Sequence, residues 1–261
     1  MISQNEILSG PLLCIEEVGN ANILKHNKLM LNPGGLIGGR KAHDGVTYFN
    51  LNHDYEENGY NLGDTNSSFC DFGLNLSLKE DVIESIEDYV FIVFYREETK
   101  SYFIKFSDNN SINKEIFLHI RGNMFIPIKQ TEVIFFGKVI LELKPNYKKG
   151  TISIINLTQT DTNNNIQLQT NKNISNFNLK NKQLITIGRN NNCDVIVNGE
   201  GVSKIQCTLK YSQEQKIWIL QDGTDDKQSY NGTWVVANHS YPLYNDMEIE
   251  IMSNSIKVNY Y

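Results

Sequence analysis

The sequence predicts an all-β protein made of two successive β-sandwiches, and three observations carry that reading. Apolar and polar residues alternate with a period of two in short runs, as where Ile205, Cys207, Leu209 and Tyr211 interleave with Gln206, Thr208 and Lys210. Such runs are rich in Ile, Val, Thr and aromatic residues, and they are punctuated by Asn, Asp and Gly, which favour turns and tolerate left-handed backbone. A length of 261 residues is too great for one small sandwich and suits two domains.

In the first half, Leu36 to Arg40 and Cys70 to Leu74 read as short strands. Between them lies a long polar and aromatic insertion, 41–69, that contains Tyr48, Phe49, Tyr55 and Tyr60. Long loops in compact domains are usually functional or disordered, so this one reads either as a docking element or as a cover for its own sandwich. Ile86, Tyr89, Phe91, Val93 and Tyr95 mark the next strand, Tyr102 to Phe106 another, and Glu132 to Leu143 the closing pair. Pro145 to Gly150 forms a short junction that constrains the two halves.

Thr151 to Leu157 then opens the second half, followed by an Asn-, Gln- and Thr-rich insertion, 158–176, whose composition predicts a loop. Gln183 to Gly188 and Asp194 to Val197 are strands joined by Asn190-Asn191-Asn192, which leaves Arg189 at the mouth of a loop. Ser203 precedes the alternating strand at 205–211, so its hydroxyl also sits at a rim. Ile217 to Gln221 is the next strand, with Trp218 in the core, and a polar turn leads to Asn231-Gly232-Thr233. Asn-Gly is first of all a tight-turn dipeptide. Asp246 to Val258 supplies the closing strands.

Gly188-Arg189, Val202-Ser203, Trp218 to Asp222 and Asn231-Gly232-Thr233 together resemble the forkhead-associated (FHA) domain, over roughly residues 150–261. The resemblance implies an eleven-stranded β-sandwich that reads phosphothreonine. It places Arg189 and Ser203 on the phosphate, Lys204 as an auxiliary donor, and Asn231 on the peptide backbone. A guanidinium offers a planar fork of donors to phosphate oxygens, and charge-assisted bonds are about twice as strong as neutral ones. Gln206 stands where the family usually has histidine; it carries both donor and acceptor and is expected to brace the loops, with Gly232 and Thr233. Tyr230 is bulkier than the family's usual residue and narrows the groove or stacks on a ligand.

The first half repeats the pattern more weakly. Leu36 to Arg40 parallels Ile185 to Arg189, Cys70 to Leu74 parallels Cys193 to Val197, Tyr102 to Phe106 parallels Trp218 to Asp222, and Glu132 to Leu143 parallels Asp246 to Val258. This copy is expected to be a degenerate FHA-like domain. Glu87 and Val90 replace the serine and the histidine, Asn113-Lys114-Glu115 replaces the Asn-Gly-Thr turn, and Arg40 is read as solvated or locally paired. A carboxylate beside the site repels a dianion. The expected domains are therefore 1–146 and 147–261.

Other functional classes find little support. Cys14, Cys70, Cys193 and Cys207 form no C-x-x-C pair and the five histidines are scattered, so no metal or other cofactor is expected. With no signal peptide, long apolar run or disulfide framework, the chain reads as intracellular and soluble. A net charge of −6 argues against nucleic acid as a partner. Gly34-Gly35 and Gly38-Gly39 precede no helix, as a nucleotide loop requires. The acids at 80, 81, 84, 87 and 88 read as a solvated rim rather than a catalytic constellation, so no enzymatic activity is expected.

Two functions remain. One is an interaction adaptor or scaffold whose second domain binds a phosphorylated protein. The other is a phosphate-independent structural subunit of a larger assembly that uses both sandwiches as rigid surfaces.

Overall fold

A computed structural model describes residues 12–18, 28–31, 36–42, 45–50, 70–71, 91–96, 98–106, 116–158, 174–251 and 254–261. All its regular structure among these residues is strand, as the period-two pattern predicts. The chain divides into two compact units, one of residues 1–116 with 237–261 and the other of residues 117–236.

In chain order, the first unit begins with β1 (Leu13–Val18), β2 (Lys28–Leu31), β3 (Leu36–Ala42), β4 (Gly45–Asn50), β5 (Cys70–Asp71), β6 (Phe91–Arg96) and β7 (Ser101–Phe106). The second unit holds β8 (Ile116–Ile120), β9 (Phe125–Ile128), β10 (Glu132–Phe136), β11 (Val139–Asn146), β12 (Thr151–Asn156) and β13 (Ile174–Asn178). It continues through β14 (Leu184–Gly188), β15 (Val195–Ile196), β16 (Cys207–Ser212), β17 (Ile217–Asp222) and β18 (Thr233–Val236). The chain then returns to the first unit with β19 (Ser240–Pro242), β20 (Glu248–Ile251) and β21 (Asn254–Tyr260).

The second unit is a sandwich of eleven strands. One sheet runs β13-β12-β11-β10-β18-β8 and the other β15-β14-β16-β17-β9. Alternation puts one face of each sheet inward. Leu118, Ile134, Leu141, Leu143, Ile152 and Val235 from the first sheet, and Ile126, Ile185, Ile187, Leu209, Trp218 and Leu220 from the second, have no exposed surface. Each such aliphatic side chain contributes about 1.5–3 kcal/mol by leaving water. Trp218, expected in the core, is the largest side chain there.

In the first unit one sheet runs β19-β7-β6-β3-β4-β5, and β20, β21, β1 and β2 are paired in that order. Phe91, Val93, Tyr102, Ile104, Phe106, Tyr241, Ile249 and Val258 are among its buried side chains. Arg40 lies inside β3, opposite Thr47 of β4, whereas its counterpart Arg189 follows the end of β14. The insertion expected at 41–69 therefore begins as a β-hairpin. Tyr55, Tyr60, Glu87, Val90 and residues 113–115 lie outside the described residues, as does most of the 158–176 insertion.

The point expected to separate the halves, between residues 146 and 147, falls in the turn of the β11–β12 hairpin, where Asn146 faces Thr151. Lys149 N–H donates to the Asn146 carbonyl at 3.2 Å and Gly150 N–H to the Tyr147 carbonyl at 3.3 Å. Gly150 takes φ +61°, which a residue with a Cβ reaches only under strain.

Candidate functional site

Three loops at one end of the eleven-stranded sandwich form the site. The first follows β14, whose Gly188 is packed so closely that a Cβ would meet the Lys204 carbonyl at 2.4 Å. That clearance lets the backbones zip together: Arg189 N–H donates to the Ser203 carbonyl and Asn190 N–H to the Lys204 carbonyl, each at 3.1 Å. Asp194 anchors the far side of this loop. Its carboxylate accepts from Thr186 N–H at 2.9 Å and Thr186 Oγ1 at 3.0 Å, and pairs with Lys182 at 2.6 Å. Partial burial alone would raise the Asp194 pKa, but Lys182 and Thr186 outweigh it and hold it below the usual carboxylate range.

The second loop carries Ser203, Lys204 and Gln206. Ser203 Oγ accepts the Tyr230 N–H at 2.9 Å, which ties the second loop to the third. That bond uses an oxygen lone pair and leaves the hydroxyl hydrogen available to a ligand. Gln206 is fully buried, and its side chain ties the second loop to the third. Its Oε1 accepts from Ser203 N–H at 3.0 Å, while its Nε2 donates to the Gly232 carbonyl at 2.8 Å and to Ser229 Oγ at 3.0 Å.

Ser229 Oγ in turn donates to Asp222 Oδ1 at 2.6 Å, and Thr233 Oγ1 donates to the same oxygen at 2.9 Å. Ser229 N–H donates to Asp222 Oδ2 at 3.1 Å. Asp222 is fully buried, and these donors replace the water that a carboxylate requires. The third loop is thereby fixed to the end of β17.

Arg189, Asn190, Val202, Ser203, Lys204, Thr224, Lys227 and Tyr230 are among the residues lining an open cleft of about 970 Å³ between these loops. Its charged lining residues are Arg189, Lys204 and Lys227, all cations, and all three are exposed. Arg189 makes no ion pair among the described residues, so its guanidinium is open to solvent and to ligand. Tyr230, 87% exposed, forms a wall.

Among the residues expected at the site, Arg189, Ser203 and Lys204 meet at this cleft, and Gln206, Gly232 and Thr233 lie in the bracing network beneath it. Asn231 does not line the cleft. Its Nδ2 donates to the Gly201 carbonyl at 3.1 Å and bridges the second and third loops. Lys227, Ser229, Asp222 and His119 were not assigned site or bracing roles from the sequence. His119 Nε2 donates to the Asn231 carbonyl at 2.9 Å from 112 residues away, a contact with no local signature.

Among the described residues no group of metal-binding side chains assembles, and no helix is long and apolar enough to cross a membrane.

The site is thus a loop-end cleft of an all-β sandwich, lined in part by an arginine and a serine. Residues 185–252 match the family model of the FHA domain, so the second half of the chain carries an FHA domain. Domains of this family are phosphopeptide-binding interaction modules and are generally non-catalytic. No curated protein and no solved structure matches the chain.

Proposed function

We propose that the chain is a non-catalytic adaptor or scaffold whose cleft binds a phosphothreonine-containing segment of a partner protein. The observation that carries this reading is the cleft's charge: Arg189, Lys204 and Lys227 line it without a carboxylate, in a chain of net charge −6. A phosphate carrying nearly two negative charges is the ligand that three exposed cations and a free hydroxyl hydrogen serve best. Arg189 offers its fork, Ser203 its O–H and Lys204 its ammonium to the phosphate oxygens. Tyr230 packs on the peptide. Asn231, held by Gly201, keeps the two loops at the spacing the peptide needs.

The test is binding of a phosphothreonine peptide library followed by fluorescence anisotropy, with unphosphorylated counterparts as controls. Saturable, phosphate-dependent binding is expected. Arg189→Ala should weaken it by about 10- to 100-fold, the loss of one or two charge-assisted hydrogen bonds at about 1.5 kcal/mol or more each. Binding that ignores the phosphate, or survives Arg189→Ala unchanged, sinks the proposal. A partner retained equally after phosphatase treatment points instead to the phosphate-independent structural subunit.

A further inference from the structure

We infer that the chain is a tandem of two related sandwiches that have exchanged their closing strands, each half completing the other. The argument rests on strand register and does not depend on the phosphate reading. β17 pairs with β9, from the first half: Ile219 faces Pro127, Leu220 faces Ile126 and Gln221 faces Phe125. β7, the counterpart of β17 in the repeat, pairs with β19, from the second half: Phe103 faces Pro242, Ile104 faces Tyr241 and Lys105 faces Ser240. The proline falls opposite the equivalent residue in both, so β9 and β19 are the same strand of the repeat, in the same register, on opposite copies.

The remaining closing strands obey the same rule. β1, at the start of the first half, pairs along its length with β21, from Leu13 opposite Tyr260 to Val18 opposite Ser255. β12, at the start of the second half, pairs with β11, from Leu141 opposite Asn156 to Asn146 opposite Thr151. Both first strands continue outward to a second, β2 in one case and β13 in the other. The match to the FHA domain points the same way. It runs to residue 252, beyond the compact unit that ends at residue 236, so the family pattern includes strands that serve the other unit.

The physical cause is the short junction. Four residues, 147–150, join β11 to β12, and they close a hydrogen-bonded turn. Adjacent antiparallel strands joined by so few residues form a hairpin at small entropic cost. Sending β11 back to β1 requires breaking that hairpin and bridging two sandwiches with the same four residues. Once β11 stays with β12, β21 is the matching strand left for β1.

Disulfide trapping in the full chain distinguishes the arrangements, because facing Cα atoms in antiparallel strands stand about 4.5–5.5 Å apart, within disulfide reach. Pro127→Cys with Ile219→Cys, and independently Lys105→Cys with Ser240→Cys, should oxidise to intrachain bonds in the monomer, mapped by mass spectrometry. The pairs that report unexchanged strands, Ile219→Cys with Pro242→Cys and Lys105→Cys with Phe125→Cys, should stay reduced. Circular dichroism of each reduced variant checks its folding. Oxidation of the second set in place of the first overturns the inference, and so do bonds of the first set that form only between chains.

Discussion

Gln206 shows how one buried amide can hold a binding surface in shape. Its side chain joins the second loop to the third, so Gln206→Leu leaves the Ser203 N–H and the Gly232 carbonyl without partners, at about 1–3 kcal/mol for each buried group left unsatisfied. A lower urea midpoint together with weaker peptide binding is expected, and an unchanged midpoint refutes the bracing role. Gly232 is as sensitive for a different reason. Its φ is +73°, and a Cβ would lie 2.1 Å from His119 Nε2. Gly232→Ala should cost at least about 1–3 kcal/mol in thermal or urea unfolding, since the left-handed strain and the clash act together. Burial pushes the Cys207 thiol well above its ordinary pKa, aided by the nearby Asp222 carboxylate. The neutral thiol therefore contributes its stability in full below about pH 8.5, the unfolded value, and loses it progressively as pH rises toward the folded one. Native Cys207 should resist iodoacetamide at pH 8 and react on unfolding, which peptide mapping detects.

At the scale of elements, the loop after β14 is held by its base, where Lys182 and Thr186 grip Asp194. The lowered Asp194 pKa means that this contribution is present above about pH 4 and is lost as the pH falls through the folded value. Asp194→Asn should flatten the acid limb of a stability-versus-pH curve, and an identical limb in the variant removes Asp194 from the account. Strands β14, β16 and β17 were legible because alternation and turn residues are local: Ile185 and Ile187, then Cys207 and Leu209, announce a buried face without reference to anything distant. The placement of Arg189 and Ser203 at the cleft was legible for the same reason, since each ends or precedes such a run. The partner of a strand was not legible in this way. Phe125 to Ile128 was not read as a strand from the sequence, and its pairing with β17 joins segments far apart in the chain. The orientation of Asn231 was hidden too, being decided by the Gly201 carbonyl of another loop.

For the whole molecule, charge is distributed against its average. A net charge of −6 coexists with a cleft whose charged lining residues are all cations, so binding should be local and electrostatic. Peptide affinity is expected to fall as salt rises from about 50 to 500 mM, while thermal stability, which rests on apolar burial, changes little. Affinity should also fall as the phosphate gains a proton below about pH 6. Salt-insensitive binding removes the electrostatic explanation.

The division of the chain also sets an order of events at the ribosome. Residues 117–236 form one unbroken stretch, whereas the other unit needs residues on both sides of that stretch. Synthesis proceeds from the N-terminus and domains generally fold as units, so the sandwich bearing Arg189 can close while the first 116 residues still await β19 to β21. Nascent chains stalled once residue 236 has cleared the exit tunnel should therefore show a protease-resistant core over 117–236 and a cleavable N-terminal segment. Extension through residue 261 and clear of the tunnel should then protect both.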